Sequence, residues 1–125
     1  MAKILIVDDS ALSRRLLRRI LESAGHQVIE AADGVVALES YFLEQPDLTL
    51  LDLTMTGMYG LDVLSKLRAL DPAARVIMAS ADIQSFTREL ALQGGARDFI
   101  NKPFVAAQVL PAIAAALAPT PGGPA

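Results

Sequence analysis

The chain has 125 residues, of which 53% are hydrophobic and 20% charged, and its formal net charge is −3. That length suits one domain with a sizeable core, and that balance excludes both a disordered polymer and a generally basic nucleic-acid binder. With no cysteine, disulfides, thiolate catalysis and thiolate metal sites are all removed, so oxygen chemistry remains.

Met1-Ala2-Lys3 leads directly into strand-like sequence without the layout of a signal peptide. No apolar run approaches the roughly 20 residues of a membrane span, so the expectation is a cytoplasmic protein with no membrane contact. Ile4-Leu5-Ile6-Val7 is a continuous branched-aliphatic run of the kind found in parallel strands covered on both sides, and it stops at Asp8-Asp9-Ser10. From Ser10, a suitable N-cap, to Gly25 the period is helical. Leu12, Leu16, Leu17, Ile20 and Leu21 occupy one half of the wheel, and Arg14, Arg15, Arg18 and Arg19 the opposite arc. Gly25 suits a left-handed helix end, His26 sits in the turn, and Gln27 to Ala31 form a second strand.

Asp33-Gly34 opens a second helix through Val35, Val36, Leu38, Phe42 and Leu43, and Gln45-Pro46 ends it. Leu48-Thr49-Leu50-Leu51-Asp52-Leu53 is a buried strand whose one ionisable residue lies near its end. A third helix runs from Gly60 to Leu70, a fourth strand from Arg75 to Ser80, and a helix follows to about Gln93. Arg97 to Asn101 form a weaker fifth strand before Lys102-Pro103. The last helix spans Ala106 to Leu117 and contains Pro111, which implies a kink or a late start. Residues 119–125 are too rich in Pro and Gly to pack, so the domain is expected over 1–118 with a disordered tail and no output domain after it. Strands alternating with helical crossovers make an α/β fold with a parallel sheet.

In such sheets ligands bind beyond the carboxyl ends of the strands. This chain places Asp8 and Asp9, Asp52, Ser80 and Lys102 there. Each has an ordinary explanation alone, as a cap, a turn or a surface charge. Together, three carboxylates repel unless a cation joins them, and oxygen donors of this kind suit Mg²⁺. Lys102 and Ser80 would then hold a phosphoryl group over Asp52, with its carboxylate as nucleophile.

At this point the sequence resembles the CheY-like receiver domain of bacterial two-component response regulators, over about residues 3 to 118. The resemblance rests on Ile6-Val7-Asp8-Asp9-Ser10, Leu51-Asp52-Leu53 with Gly57 and Gly60, Met78-Ala79-Ser80-Ala81 and Asn101-Lys102-Pro103-Phe104. It implies a flavodoxin-like (βα)5 fold with strand order 2-1-3-4-5 and helices on both faces. It also implies that Asp52 is the phosphoacceptor, served by a histidine kinase or a histidine phosphotransfer protein. Mg²⁺ (or Mn²⁺) would be bound by Asp9, Asp52 and the backbone carbonyl of Thr54, with Asp8 nearby. Ser80 and Lys102 would contact the phosphoryl group, the Lys102-Pro103 bond would be cis, and Thr54 and Asp82 would tune the lifetime of the acyl phosphate. Phe99 falls at the aromatic switch position, so that phosphorylation would reshape the face of helix four, strand five and helix five toward a downstream protein target. The implied protein accepts a phosphoryl group on its own aspartate, and loses it again, without being a conventional enzyme.

The sequence departs from that pattern at Thr56, where proline is usual, and at Tyr59, which deprives helix three of an N-cap. The arginine arc is read as a solvated face or a partner-docking face rather than a nucleic-acid site. The nearly all-apolar last helix suggests a partner or homodimer contact on its outer side. A pseudo-receiver that only binds partners is the alternative, opposed by the complete polar set; a flavin-binding protein is opposed by Asp8-Asp9, which would repel the cofactor's phosphate.

Overall fold

The computed structural model describes residues 1–55, 59–81 and 85–118. Strands and helices alternate as β1 (Lys3–Val7), α1 (Ala11–Ser23), β2 (Gln27–Ala31), α2 (Gly34–Glu44), β3 (Leu48–Asp52), α3 (Gly60–Leu70), β4 (Val76–Ser80), α4 (Ser85–Gln93), β5 (Asp98–Asn101) and α5 (Ala106–Leu117). All neighbouring strands pair in parallel in the order β2-β1-β3-β4-β5, as the resemblance implies. No helix among the described residues is long and apolar enough to cross a membrane. The tail 119–125 lies outside the described residues.

The period-2 alternation of the strands feeds two cores. Leu5, Val7, Leu51 and Met78 face α2, α3 and α4, meeting Ala37, Tyr41, Leu64, Leu67 and Ala91. Ile4, Ile6, Leu50 and Ile77 face α1 and α5, meeting Leu17, Leu21, Val109 and Ile113. β3 and β4 are buried along their whole length, which accounts for their unbroken apolar runs. Each fully hidden Leu or Ile contributes roughly 1.5–3 kcal/mol relative to exposure, so the central strands form a stiff base for the groups at their ends.

Local signals set the crossovers. The Ser10 side chain accepts from the Ser13 amide, and that of Asp33 from the Val36 amide. Gly25 ends α1 at φ +88°, and α2 ends on Gln45 in the left-handed region at φ 48°. Tyr59 gives α3 no side-chain cap, as its side-chain chemistry predicts.

Three packing details differ from the sequence reading. In α1 only Leu17 and Leu21 are buried, while Leu12 and Leu16 face outward, because the stripe touching β1, β2 and α5 is narrower than half the wheel. In α2 the inward face is Gly34, Ala37 and Tyr41, and Val35, Val36, Phe42 and Leu43 are exposed. Tyr41 fixes that rotation by donating its hydroxyl to Asp71 at 2.6 Å, and small Ala37 lets the helix approach the sheet. α5 runs from Ala106 through Pro111 to Leu117, so the late start is not observed. His26, given no role from sequence, accepts a hydrogen bond from the Ala2 amide at 3.1 Å and ties down the N-terminus.

Candidate functional site

The register explains why the polar groups meet. Val7 lies beside Leu51, Asp52 beside Ala79, and Ser80 beside Asn101. Asp8, Asp52, Ser80 and Lys102 therefore all sit at, or one residue past, the carboxyl ends of adjacent strands. Oxygen atoms of Asp8, Asp9 and Asp52 lie within 4.8 Å of one another. Beside them opens a cleft of about 320 Å³, lined by Asp9, Asp52, Thr54, Ser80, Ala81 and Lys102.

Asp8 is the buried anchor of the group. Its Oδ1 accepts from the Ser10 amide at 2.8 Å, and its Oδ2 accepts from Lys102 Nζ at 2.7 Å. The same ammonium lies 3.4 Å from Asp52 Oδ2. Lys102 is thus closer to Asp8 than to Asp52, whereas the sequence assigned it to the phosphoryl position above Asp52. Its approach is fixed by the Lys102 amide, which donates to the Ser80 carbonyl at 2.9 Å, and by the cis Lys102–Pro103 bond that follows. Phe104 lies beneath the ammonium, 5.8 Å from Nζ to the ring centroid.

The electrostatics follow from burial and crowding. Burial, then the charge of Asp8, pushes the Asp52 carboxyl up to about 6, although Lys102 and a hydrogen bond from the Thr54 backbone pull the other way. Burial works against the charged form of Lys102, yet its hydrogen bond to Asp8 and the charge of Asp52 outweigh this and raise it. At neutral pH the site therefore holds an ionised Asp52 that is only partly compensated. Hard oxygen donors grouped this closely, with excess negative charge, fit a divalent cation such as Mg²⁺.

Thr54 is exposed at the rim of the cleft, and Ser80 is buried on its wall. Phe99 is buried, pairs in register with Met78, and packs in the same core. Ser80 follows Met78 by two residues, so it points to the same side of the sheet as Phe99. Gly60 closes the site from below: its amide donates to the Leu53 carbonyl at 2.8 Å, and a Cβ there would lie 2.3 Å from the Asp52 carbonyl oxygen. Asp82 and Thr56 lie outside the described residues.

The sequence missed Arg14 and Glu30. Arg14 Nη1 donates to the Asp8 carbonyl, and Arg14 Nε to Glu30 at 2.9 Å. Arg18 Nε donates to the other oxygen of Glu30 at 2.6 Å. The arginine arc is therefore divided: Arg14 and Arg18 turn toward β2, while Arg15 and Arg19 stay exposed. A charged residue inside the apolar alternation of β2 was the available signal.

Residues 4–114 match the family model for the response regulator receiver domain. The chain belongs to that family. Receiver relatives include the chemotaxis protein CheY of Bacillus subtilis, 45% identical over 112 residues that make up 89% of this chain and 93% of the relative. The CheY of Thermotoga maritima is 39% identical over 112 residues, covering 89% and 93% of the two chains. Among solved structures, the CheX–CheY–BeF3–Mg complex of Borrelia burgdorferi superposes with a TM-score of 0.90 at 37% identity, over 94% of this chain and 90% of that one. A CheY-like receiver from Methanospirillum hungatei gives 0.87 at 30% identity, with 94% of each chain covered. Such a receiver domain is a response-regulator module, with chemotaxis proteins prominent among its relatives.

Proposed function

We propose that this receiver is a phosphorylatable switch. Asp52 accepts a phosphoryl group from the phosphohistidine of a histidine kinase or histidine phosphotransfer protein, and the change is read by a downstream protein. The observation that carries the reading is Asp52 itself: an acid raised to about 6, on the wall of a cleft shared with Asp9, Ser80 and Lys102. Above that pH the carboxylate is a nucleophile without needing a base.

Asp9, Asp52 and the Thr54 backbone carbonyl, with Asp8 behind them, would hold Mg²⁺, and Mn²⁺ suits the same oxygen donors. A bound divalent cation neutralises carboxylate charge and polarises phosphoryl oxygens. Asp52 Oδ forms the new bond to phosphorus as the phosphorus–nitrogen bond of the donor breaks, and the imidazole leaves with that electron pair. Lys102, 3.4 Å from Asp52 Oδ2, is within easy reach of a phosphoryl oxygen, and Ser80 offers a hydroxyl donor. Thr54 at the rim, together with Asp82, would govern how water reaches the acyl phosphate.

The output follows from the shared side of Ser80 and Phe99. When the hydroxyl moves toward the phosphoryl group, the space it leaves lets the ring reorient, and the surface of α4, β5 and α5 changes with it. The Borrelia CheY complex, which contains CheX, BeF3 and Mg, supports both a metal at such a site and a protein reader. The outward residues of α5, including Ala107, Ala114 and Ala115, are small and exposed, which suits close docking of a partner or a second copy.

Incubation with acetyl phosphate and Mg²⁺ should give one phosphoryl adduct by intact mass, absent in Asp52→Asn and in EDTA. A wild type that stays unmodified while its Mg²⁺ titration shows no binding would remove the reading.

A further inference from the structure

We infer that Arg14, clamped by Glu30, is a positioning residue for the acidic site: by holding the Asp8 carbonyl it sets the Asp8–Asp9 peptide and thereby aims Asp9. The inference rests on the reading of the site as a Mg²⁺-dependent phosphoacceptor.

Asp8 lies one residue past the end of β1, where the ladder to β2 closes with the Asp8 amide donating to the Ala31 carbonyl at 3.1 Å. The peptide that follows, between Asp8 and Asp9, is outside the sheet. A rigid site needs that peptide plane fixed, because Asp9 projects from it and has less burial than Asp8 to restrain it. Arg14 supplies the restraint. Its Nη1 donates to the Asp8 carbonyl, and its Nε is held by Glu30. Glu30 pairs in register with Ile6 on β1, so the guanidinium is referenced to the sheet rather than to its own helix. Arg18 occupies the second oxygen of Glu30 and stops the carboxylate from turning away. Burial works to raise Glu30, yet its hydrogen bonds from Arg18 and Arg14 outweigh this and lower it, so the clamp stays charged at neutral pH. The planar fork is essential: only a guanidinium can serve a carboxylate and a carbonyl in two fixed directions at once.

Charge and geometry predict opposite signs for one substitution. Arg14 is a cation close to a cation site, so removing its charge alone would tighten Mg²⁺ binding. Removing its grip on the Asp8–Asp9 peptide weakens binding, and losses of supporting hydrogen bonds around metal ligands are roughly tenfold or more in affinity.

The test is calorimetric Mg²⁺ titration of the full chain, with thermal melts in EDTA to report folding. Arg14→Gln should bind about tenfold more weakly, and Glu30→Gln should bind more weakly in the same direction. The double substitution should be little worse than Arg14→Gln alone, because both act through one contact. Arg15→Gln, which removes an exposed charge from the same helix, should not weaken binding. Arg14→Lys keeps the charge without the fork and should also bind more weakly; it decides the question where Arg14→Gln does not fold. Unchanged or tighter binding in folded Arg14→Gln, or wild-type affinity in Arg14→Lys, overturns the inference while leaving the phosphoacceptor intact. A wild type that binds no Mg²⁺ overturns both.

Discussion

Asp52→Asn removes one of three crowded carboxylates, and in metal-free buffer it should make the protein more stable. The folded state raises the Asp52 carboxyl from 3.8 to about 6, so it holds the proton more tightly than the unfolded chain does. That contribution is fully present below the unfolded value and is lost as pH rises through about 6. About two units at ~1.36 kcal/mol each set an upper bound of ~3 kcal/mol for the cost of ionised Asp52 at neutral pH. Solvent in the open cleft screens part of it, leaving about 1–2 kcal/mol. In EDTA, Asp52→Asn should melt above wild type by about 4–8 °C at pH 7.5, with the gap closing toward pH 4. Saturating Mg²⁺ should shrink or invert the gap, because only the wild type retains the full ligand set. A variant no more stable than wild type at pH 7.5, or a gap independent of pH, would refute the reasoning.

Two further outcomes follow from single contacts. Thr49 lies at the centre of β3, wholly buried, with a hydroxyl that has no hydrogen-bond partner; Thr49→Val should raise stability by about 1 kcal/mol in denaturant titration, with Mg²⁺ affinity unchanged. At Gly60 a Cβ would lie 2.3 Å from the Asp52 carbonyl oxygen and 2.7 Å from Leu53 Cα, so Gly60→Ala should cost about 1–3 kcal/mol. It should also weaken Mg²⁺ binding in calorimetry without removing any polar atom. Gly25→Ala is the comparison, because φ +88° strains it while the space around it is open: it should lose about 1 kcal/mol and keep its metal affinity.

The strands and the ends of the helices were legible because their signals are local. Ser10 and Asp33 cap, Gly25 turns, and apolar runs such as 76–80 fit only a strand covered on both sides. The gathering of Asp8, Asp52, Ser80 and Lys102 was legible as well, because in a parallel sheet every strand end lies on one edge. What depended on rotation about a helix axis was not. The inward face of α2 is decided by a 2.6 Å bond between Tyr41 and Asp71, 30 residues apart, and apolar Val35 and Leu43 point to solvent in consequence. Arg14 was hidden for the same reason: four arginines on one arc look equivalent until β2 places Glu30 beside two of them.

The distances also bear on why Asp52 rather than Asp8 suits the nucleophile's role. Both carboxylates are buried at neighbouring strand ends. Asp8 has one oxygen on the Ser10 amide and the other on Lys102 at 2.7 Å; an acid so fully hydrogen-bonded has its lone pairs engaged and its charge satisfied. Asp52 meets the same ammonium only at 3.4 Å, accepts from the Thr54 backbone, and lines the open cleft. Its charge is the least compensated of the buried pair, and it faces the side from which a phosphoryl donor can approach in line. Asp8 keeps Lys102 in place beside it, so the two acids divide the work: one holds the cation, and the other keeps a reactive oxygen exposed.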